Sequence, residues 1–314
     1  MPKIHVLHEN GAWLGPLRDA FADMALPYEE WFLDRGTVDL TAAPPEGVFY
    51  NRMSASSHTR NHRYAAELTA VVLAWLAAHG RRVVNSARAL DLEVSKARQY
   101  ALLQAHGIRT PATVAAVGRE QVLAAARAHF AGRPFLVKPN RGGTGFGVKL
   151  FDSIDALADE LDSDSHAAPI DGVYLVQQYI QAPEPFITRA EFIGGAFHYA
   201  VRVNTSGGFD LCPADACALP DAAPKFTVVD RIPDDLRRRY EGFLAAAGIE
   251  VAGIEFVTDA DGVAHTYDVN TNTNYNGEAE QRAGIAGTDR AGMRALARFL
   301  GEELKGVLAV KAAA

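Results

Sequence analysis

Glu255, Asp268 and Asn270 are the residues whose spacing points most directly to chemistry. They stand in GIEFVTDADGVAHTYDVNTN, around Asp261-Gly262, a dipeptide suited to a two-residue turn because both central positions of such a turn need positive φ. A turn there pairs Ala260 with Val263 and, counted back, sets Glu255 opposite Asp268. Ile254, Phe256, Tyr267 and Val269 then share the other face, which is apolar and is expected to meet a core. Two carboxylates facing each other across paired strands repel unless one is protonated or a cation sits between them. Asn270, two residues beyond Asp268, projects to the same face and adds a neutral oxygen. Two carboxylates and an amide oxygen suit Mg²⁺, with Mn²⁺ as an alternative, better than zinc. A solvated hairpin that tolerates a like-charge pair stays open on this spacing alone.

A second cluster is VKPNRGGTGFGVKLF, in which Lys138 ends a strand and Gly142, Gly143, Gly145 and Gly147 crowd the turn that follows. Glycines let backbone N–H groups approach an anion closely, and Lys138 and Arg141 bring positive charge for phosphate oxygens. No Gly-Lys-Ser/Thr follows, so this is not a Walker A loop, and a strand rather than a helix comes next, so it is not a dinucleotide fingerprint. A plain hairpin turn is the competing reading.

The elements that must position these groups can be read from periodicity. Strand and helix patterns alternate from Lys3 to Asn85, including apolar residues at helical spacing from Leu68 to Leu76, which predicts an open α/β domain over residues 1–90. A helical link over Leu92–Ala105 leads into a small strand–helix unit that carries the glycine loop, giving a second region over 91–178. The third, 179–314, has strands, a Gly-, Pro- and Asp-rich loop over Thr205–Lys225, the acidic hairpin and a final helix over Asp289–Leu304. The fold class is therefore α/β in the first domain with an α+β remainder.

Within the first domain, NRMSASSHTRNHRY packs Arg52 and Arg60 among small hydroxyls after a strand, where loops tend to bind ligands; a carboxylate partner fits either arginine, and a capped, solvated loop before a helix is the competing reading. Asn272 and Asn274 follow the acidic hairpin at alternate positions and suit polar groups of a substrate or the loop's own backbone. The 314 residues carry a net charge of −7, which argues against nucleic acid as the main partner. Cys212 and Cys217 are too few for a disulfide framework and read as reduced thiols. The N-terminus has no signal-peptide pattern and no apolar run spans a bilayer, so a cytoplasmic location with no membrane partner is expected.

Taken in order, VVNSARAL…SKARQYALLQAHGIRTPAT, FLVKPNRGGTGFGV, VQQYI…ITRAEFIGG and GIEF…YDVN resemble the ATP-grasp superfamily, in particular its RimK-like branch of glutamate and amino-acid ligases, over about residues 83–303. The resemblance implies an ATP-grasp fold: a central lid subdomain and a C-terminal mixed-sheet subdomain beside the N-terminal one. It implies that Lys96 and Lys138 contact ATP phosphates under the loop Gly142–Gly147, that the backbone of Gln178, Tyr179 and Ile180 meets adenine, and that Glu184 meets the ribose. Arg189 and Arg202 would lie near the γ-phosphate and the acyl phosphate as catalytic groups, and Glu255, Asp268 and Asn270 match the metal-ligand triad. The implied activity is ADP-forming C–N ligation through an acyl phosphate, on amino-acid or small-peptide carboxylate and amine substrates, with a carrier-bound acceptor and a homo-oligomer left open. An inactive ATP-binding regulatory module and a kinase-like phosphotransferase are the alternatives. The chain departs from the pattern in three places. Ile187 stands where an Asp is frequent, GGFDLCPADAC replaces a Phe-Arg-x-Asn stretch, and Asp268 replaces the usual Glu.

Overall fold

The computed structural model describes residues 1–143, 145–206 and 224–313. Cys212, Cys217 and the GGFDLCPADAC stretch lie outside the described residues.

The chain opens with β1 (Lys3–His8), α1 (Gly15–Asp23), β2 (Tyr28–Phe32), β3 (Gly47–Asn51), α2 (Ala65–Ala78) and β4 (Arg82–Val84). The strands form a parallel sheet in the order β2-β1-β3-β4, as expected where α1 joins β1 to β2 and α2 joins β3 to β4. Two short helices follow, α3 (Ala87–Glu93) and α4 (Lys96–Ala105), where periodicity suggested one link. Ser95 breaks them: it is extended, and its hydroxyl caps α4 by accepting from Arg98 N at 3.4 Å.

The middle segment contains β5 (Thr113–Val117), α5 (Arg119–Phe130), β6 (Phe135–Pro139), β7 (Lys149–Phe151), α6 (Ile154–Asp162) and β8 (Val173–Gln178). Its sheet is antiparallel, β5-β8-β6-β7, with α5 and α6 packed on one face through Val122, Phe130, Leu157 and Val176. The last segment contains β9 (Phe186–Ile193), β10 (Ala196–Asn204), β11 (Phe226–Val229), α7 (Asp234–Ala247), β12 (Val251–Thr258), β13 (Ala264–Asn270), α8 (Gly277–Arg282) and α9 (Gly292–Ala313). The sheet order is β11-β10-β9-β12-β13, all antiparallel.

Two packing arrangements tie these sheets together. The final helix α9 returns to the first sheet, burying Leu296, Leu300 and Leu304 with Ile4, Leu17 and Phe21. Each such fully buried side chain contributes roughly 1.5–3 kcal/mol. Helix α4 covers the edge strand β13: the Gln99 amide donates to Val269 O and accepts from Val269 N at 2.8 and 3.0 Å, and Tyr100 OH donates to Tyr267 O at 2.7 Å. One side-chain amide and one hydroxyl thus pair with an edge that would otherwise be open. No helix among the described residues is long and apolar enough to cross a membrane.

Candidate active site

The β12–β13 hairpin places Glu255 opposite Asp268, but by a different route from the one its turn dipeptide suggests. The loop has three residues, Ala260 to Gly262, between Asp259 and Val263, which pair through Asp259 N and Val263 O at 3.0 Å. Gly262 has φ +78° and closes it, while the Asp259 carboxylate accepts from Asp261 N and Val263 N at 3.0 and 2.9 Å. That longer loop shifts the register by one. A β-bulge between Glu255 and Phe256, with Tyr267 as the extra residue, shifts it back. The bulge also corrects the expected placement of Tyr267, which lines a cavity beside Asp268 instead of joining Ile254 and Val269 in the core.

That cavity holds about 440 Å³ and draws its walls from all three parts of the chain. Lys138 reaches it from the end of β6. Its ammonium donates to Tyr100 OH at 2.7 Å and lies 5.4 and 5.7 Å from the Tyr100 and Tyr267 ring centres. Gln177, on the neighbouring strand, donates to the same hydroxyl at 3.0 Å. Burial first, and then the charge of Lys96, lowers the Lys138 ammonium from an ordinary 10.5 to about 7. Lys96, the first residue of α4, donates to Asp268 at 2.6 Å. Its position depends on Asn140, just past β6, whose side chain accepts from Ala97 N at 2.8 Å and whose carbonyl accepts from Lys96 N at 3.1 Å. The Pro139-Asn140 stretch therefore fixes both lysines.

Arg189 on β9 is buried between two carboxylates. It donates to Glu191, Glu255 and the Thr273 hydroxyl, each at 2.7 Å, and Thr273 in turn donates to Glu191 at 2.7 Å. Burial opposes its charge, but Glu191 and Glu255 outweigh that and hold the guanidinium protonated. Burial raises the carboxyls of Glu255 and Glu191 despite Arg189. Asn270 donates to Glu255 at 3.4 Å, and among the described residues the carbonyl end of its amide has no hydrogen-bond donor. Among the described residues no three His, Cys, Asp or Glu side chains cluster as a metal site. The candidate set is instead two carboxylates and an amide, and these hard oxygen donors fit Mg²⁺. A buried carboxyl that burial drives toward protonation is one that a divalent cation would stabilise as the anion.

Arg189 lies flat over Gly253 on the adjacent strand: a Cβ there would stand 2.5 Å from its Nε and Nη2. Gly253→Ala is expected to push the guanidinium off Glu191 and Glu255 and to destabilise the protein by about 2–4 kcal/mol, since both buried carboxylates lose their partner. Urea unfolding measures this; an unchanged midpoint contradicts the assigned packing.

The cavity has apolar lining from Leu136, Val148, Ile180 and Val257. Beside it run Tyr179, Ile180 and Gln181, whose backbone groups bond to no other backbone group among the described residues. Gln178, Glu184, Gly142, Gly143, Gly145 and Phe146 also line the cavity, with Gly143 packed against Ser56. Trp13, Ser54, Asn272 and Asn274 complete this part of the lining.

Five residues expected at the site are not on its wall. Arg141 is buried and donates to Glu67 of α2 at 2.7 Å. Gly147 has φ +73° and packs on Pro139, so it shapes the loop from outside. Arg202 is exposed and stacks on Phe186 at 4.6 Å, because alternation on β10 sends Val201 and Val203 inward and turns Arg202 away. Arg60 stacks on Trp13 at 4.7 Å and donates to Glu9 at 2.6 Å and Ser56 at 3.1 Å, one contact behind the wall. Arg52 is buried behind Asn272 and Asn274.

Sequence reasoning passed over Tyr100, Glu191 and Glu93. Tyr100 stands four residues after Lys96 on α4, and Glu191 two after Arg189 on β9, so the same-face spacings were available. Glu93 gave no such signal. Its buried carboxylate accepts from Ala55 N at 3.1 Å and Thr271 N at 2.7 Å, joining two loops distant in sequence.

No protein-family model matches the chain. A D-alanine–D-alanine ligase of Chromohalobacter salexigens is 25% identical over 250 residues, which cover 76% of this chain and 72% of that protein. A RimK-domain ATP-grasp protein from Sphaerobacter thermophilus superposes with a TM-score of 0.64 at 20% identity, covering 95% of this chain and 98% of that one. The ATP-grasp ligase PsnB, complexed with a phosphomimetic variant of minimal precursor, Mg and ADP, superposes with a TM-score of 0.68 at 17% identity over 96% of this chain and 99% of that one.

Proposed function

From the premise that this chain has the ATP-grasp fold of RimK-like proteins, we propose that it is an ATP-dependent carboxylate–amine ligase. The observation that carries the reading is the convergence of Lys96, Lys138, Glu255, Asp268 and Asn270 on one cavity that also has apolar lining. In this reading adenine packs on Leu136, Val148 and Ile180 and bonds to the backbone from Gln178 to Gln181, and Glu184, also on the cavity wall, takes the ribose. Lys138 and Lys96 take the phosphates, and the glycine loop closes over them.

Glu255, Asp268 and Asn270 hold Mg²⁺, which when bound neutralises charge on the phosphates. Arg189 is a positioning residue: its bond to Glu255 fixes that carboxylate, and Glu191 and Thr273 fix Arg189. A substrate carboxylate entering beside this cluster accepts the terminal phosphoryl group of ATP. An amine then attacks the acyl carbon, phosphate leaves, and an amide remains. The sheltered cavity restricts water, which would otherwise hydrolyse the acyl phosphate. The names of similar proteins, a D-alanine–D-alanine ligase and PsnB complexed with a precursor peptide, support a substrate range from D-alanine to peptides.

The test is ADP release over a panel of amino acids, D-alanine and dipeptides, with products identified by mass spectrometry. The expected result is release that requires a carboxylate and an amine together, with a mass equal to their sum less water. A stable phosphorylated acceptor would establish a phosphotransferase, and nucleotide binding without turnover across the panel would establish a binding module.

A further inference from the structure

Arg52, just past β3, is 2% exposed, yet among the described residues no carboxylate pairs with its guanidinium. Burial works against its charge, and Nη1 is buried without a hydrogen-bond partner. An uncompensated buried cation is costly. Its remaining contacts are all with one loop: Nε donates to Asn272 Oδ1 at 3.1 Å, and Nη2 donates to Asn274 Oδ1 at 2.7 Å and to Thr273 O at 3.4 Å.

A guanidinium only donates, so the carbonyl end of each carboxamide must face it. The NH₂ ends of Asn272 and Asn274 are then the free ends, and neither has a hydrogen-bond acceptor among the described residues. Both asparagines line the cavity beside Asn270 and Asp268. Thr273, between them, turns the other way to Arg189 and Glu191. Two carboxamides at alternate positions, backed by one buried cation, thus present only donors to the cavity.

We propose that Asn272 and Asn274 form a binding site for a substrate carboxylate, and that Arg52 is the positioning residue that sets their orientation and supplies the compensating charge. This deepens the ligase reading and rests on it for the identity of the anion as substrate. Arg52 acts through the asparagines; it does not reach the ligand. A carboxylate accepts from both NH₂ groups and offsets the lone charge behind them, whereas a neutral amide of the same shape offers one acceptor and no charge.

The probe is acetate, with acetamide as its neutral counterpart. Binding to the full chain is followed by saturation transfer to the probe methyl and by the ¹⁵N side-chain amide signals, with and without Mg²⁺–ADP. Acetate is expected to move the Asn272 and Asn274 signals, with acetamide at least about tenfold weaker. Arg52→Met should weaken acetate about tenfold or more, and Arg52→Lys, which keeps a donor-only cation, should recover most of the loss. Should Arg52→Met fail to fold, the Asn272→Ala, Asn274→Ala double variant takes its place and should lose acetate while still binding Mg²⁺–ADP. Unmoved amide signals, equal binding of acetate and acetamide, or wild-type acetate affinity in Arg52→Met or in the double variant would overturn the proposal. Acetate binding in a protein that releases no ADP with any carboxylate–amine pair would leave this site standing and remove the ligase reading.

Discussion

Asp268→Asn is expected to lower the rate of ADP release about a thousandfold while the protein still folds. The exchange keeps the shape of the side chain and removes its charge. Two things depend on that charge: the proposed share in a divalent cation, and the 2.6 Å bond that holds Lys96 in the cavity. Folding is less exposed to the change. Lys96 loses its partner, but Glu255 loses a like-charge neighbour directly across the hairpin, so a net cost of about 1–2 kcal/mol is expected. Steady-state ADP release over a Mg²⁺ series, with urea unfolding in parallel, separates the two. A wild-type rate at ordinary Mg²⁺ would remove Asp268 from the site; loss of the fold would show that its role is structural.

Lys138→Met should weaken nucleotide binding by about ten- to a hundredfold, the worth of one charge-assisted hydrogen bond in a sheltered site. Its pH dependence is more telling. The folded chain holds the Lys138 ammonium near 7, against 10.5 for an ordinary lysine. Between those values the unfolded chain carries a proton that the folded chain lacks, so this residue makes stability rise with pH from about 7 to 10.5. Below that window both states are protonated and its contribution is constant. Nucleotide binding runs the other way, because phosphate oxygens favour the protonated ammonium. Affinity should therefore fall as pH rises above 7, with a proton taken up on binding. Calorimetry in buffers of different ionisation enthalpy reads that uptake. In Lys138→Met both slopes should flatten, and an unchanged affinity with an unchanged proton count would take Lys138 out of the phosphate site.

The acidic hairpin was legible because strand alternation depends only on counting, and it brought Glu255 opposite Asp268. The count was right at that pair and wrong at the turn. A three-residue loop and a bulge at Tyr267 are equal and opposite shifts, and neither leaves a trace in the apolar pattern that was counted. The fold itself followed from the order of its motifs, with an ATP-grasp architecture found in solved structures similar to it. The arginines were the hardest to place. Arg52, Arg60, Arg141 and Arg202 all sit in segments that touch the site, but a side chain of that length takes its direction from partners far along the chain: Asn274, Glu9, Glu67 and Phe186. Arg189 lines the cavity, and its direction is set by Glu255 on the neighbouring strand and by Glu191 on its own.

In the proposed function Glu255, Asp268 and Asn270 share one divalent cation beside the nucleotide phosphates. Crystals grown with Mn²⁺ and a non-hydrolysable ATP analogue test it through the anomalous signal of the metal. The account predicts a Mn²⁺ peak bounded by both carboxylates and the Asn270 carbonyl oxygen, with the terminal phosphates between it and Lys138. Bound nucleotide with the metal elsewhere, or with no metal between Glu255 and Asp268, would contradict it.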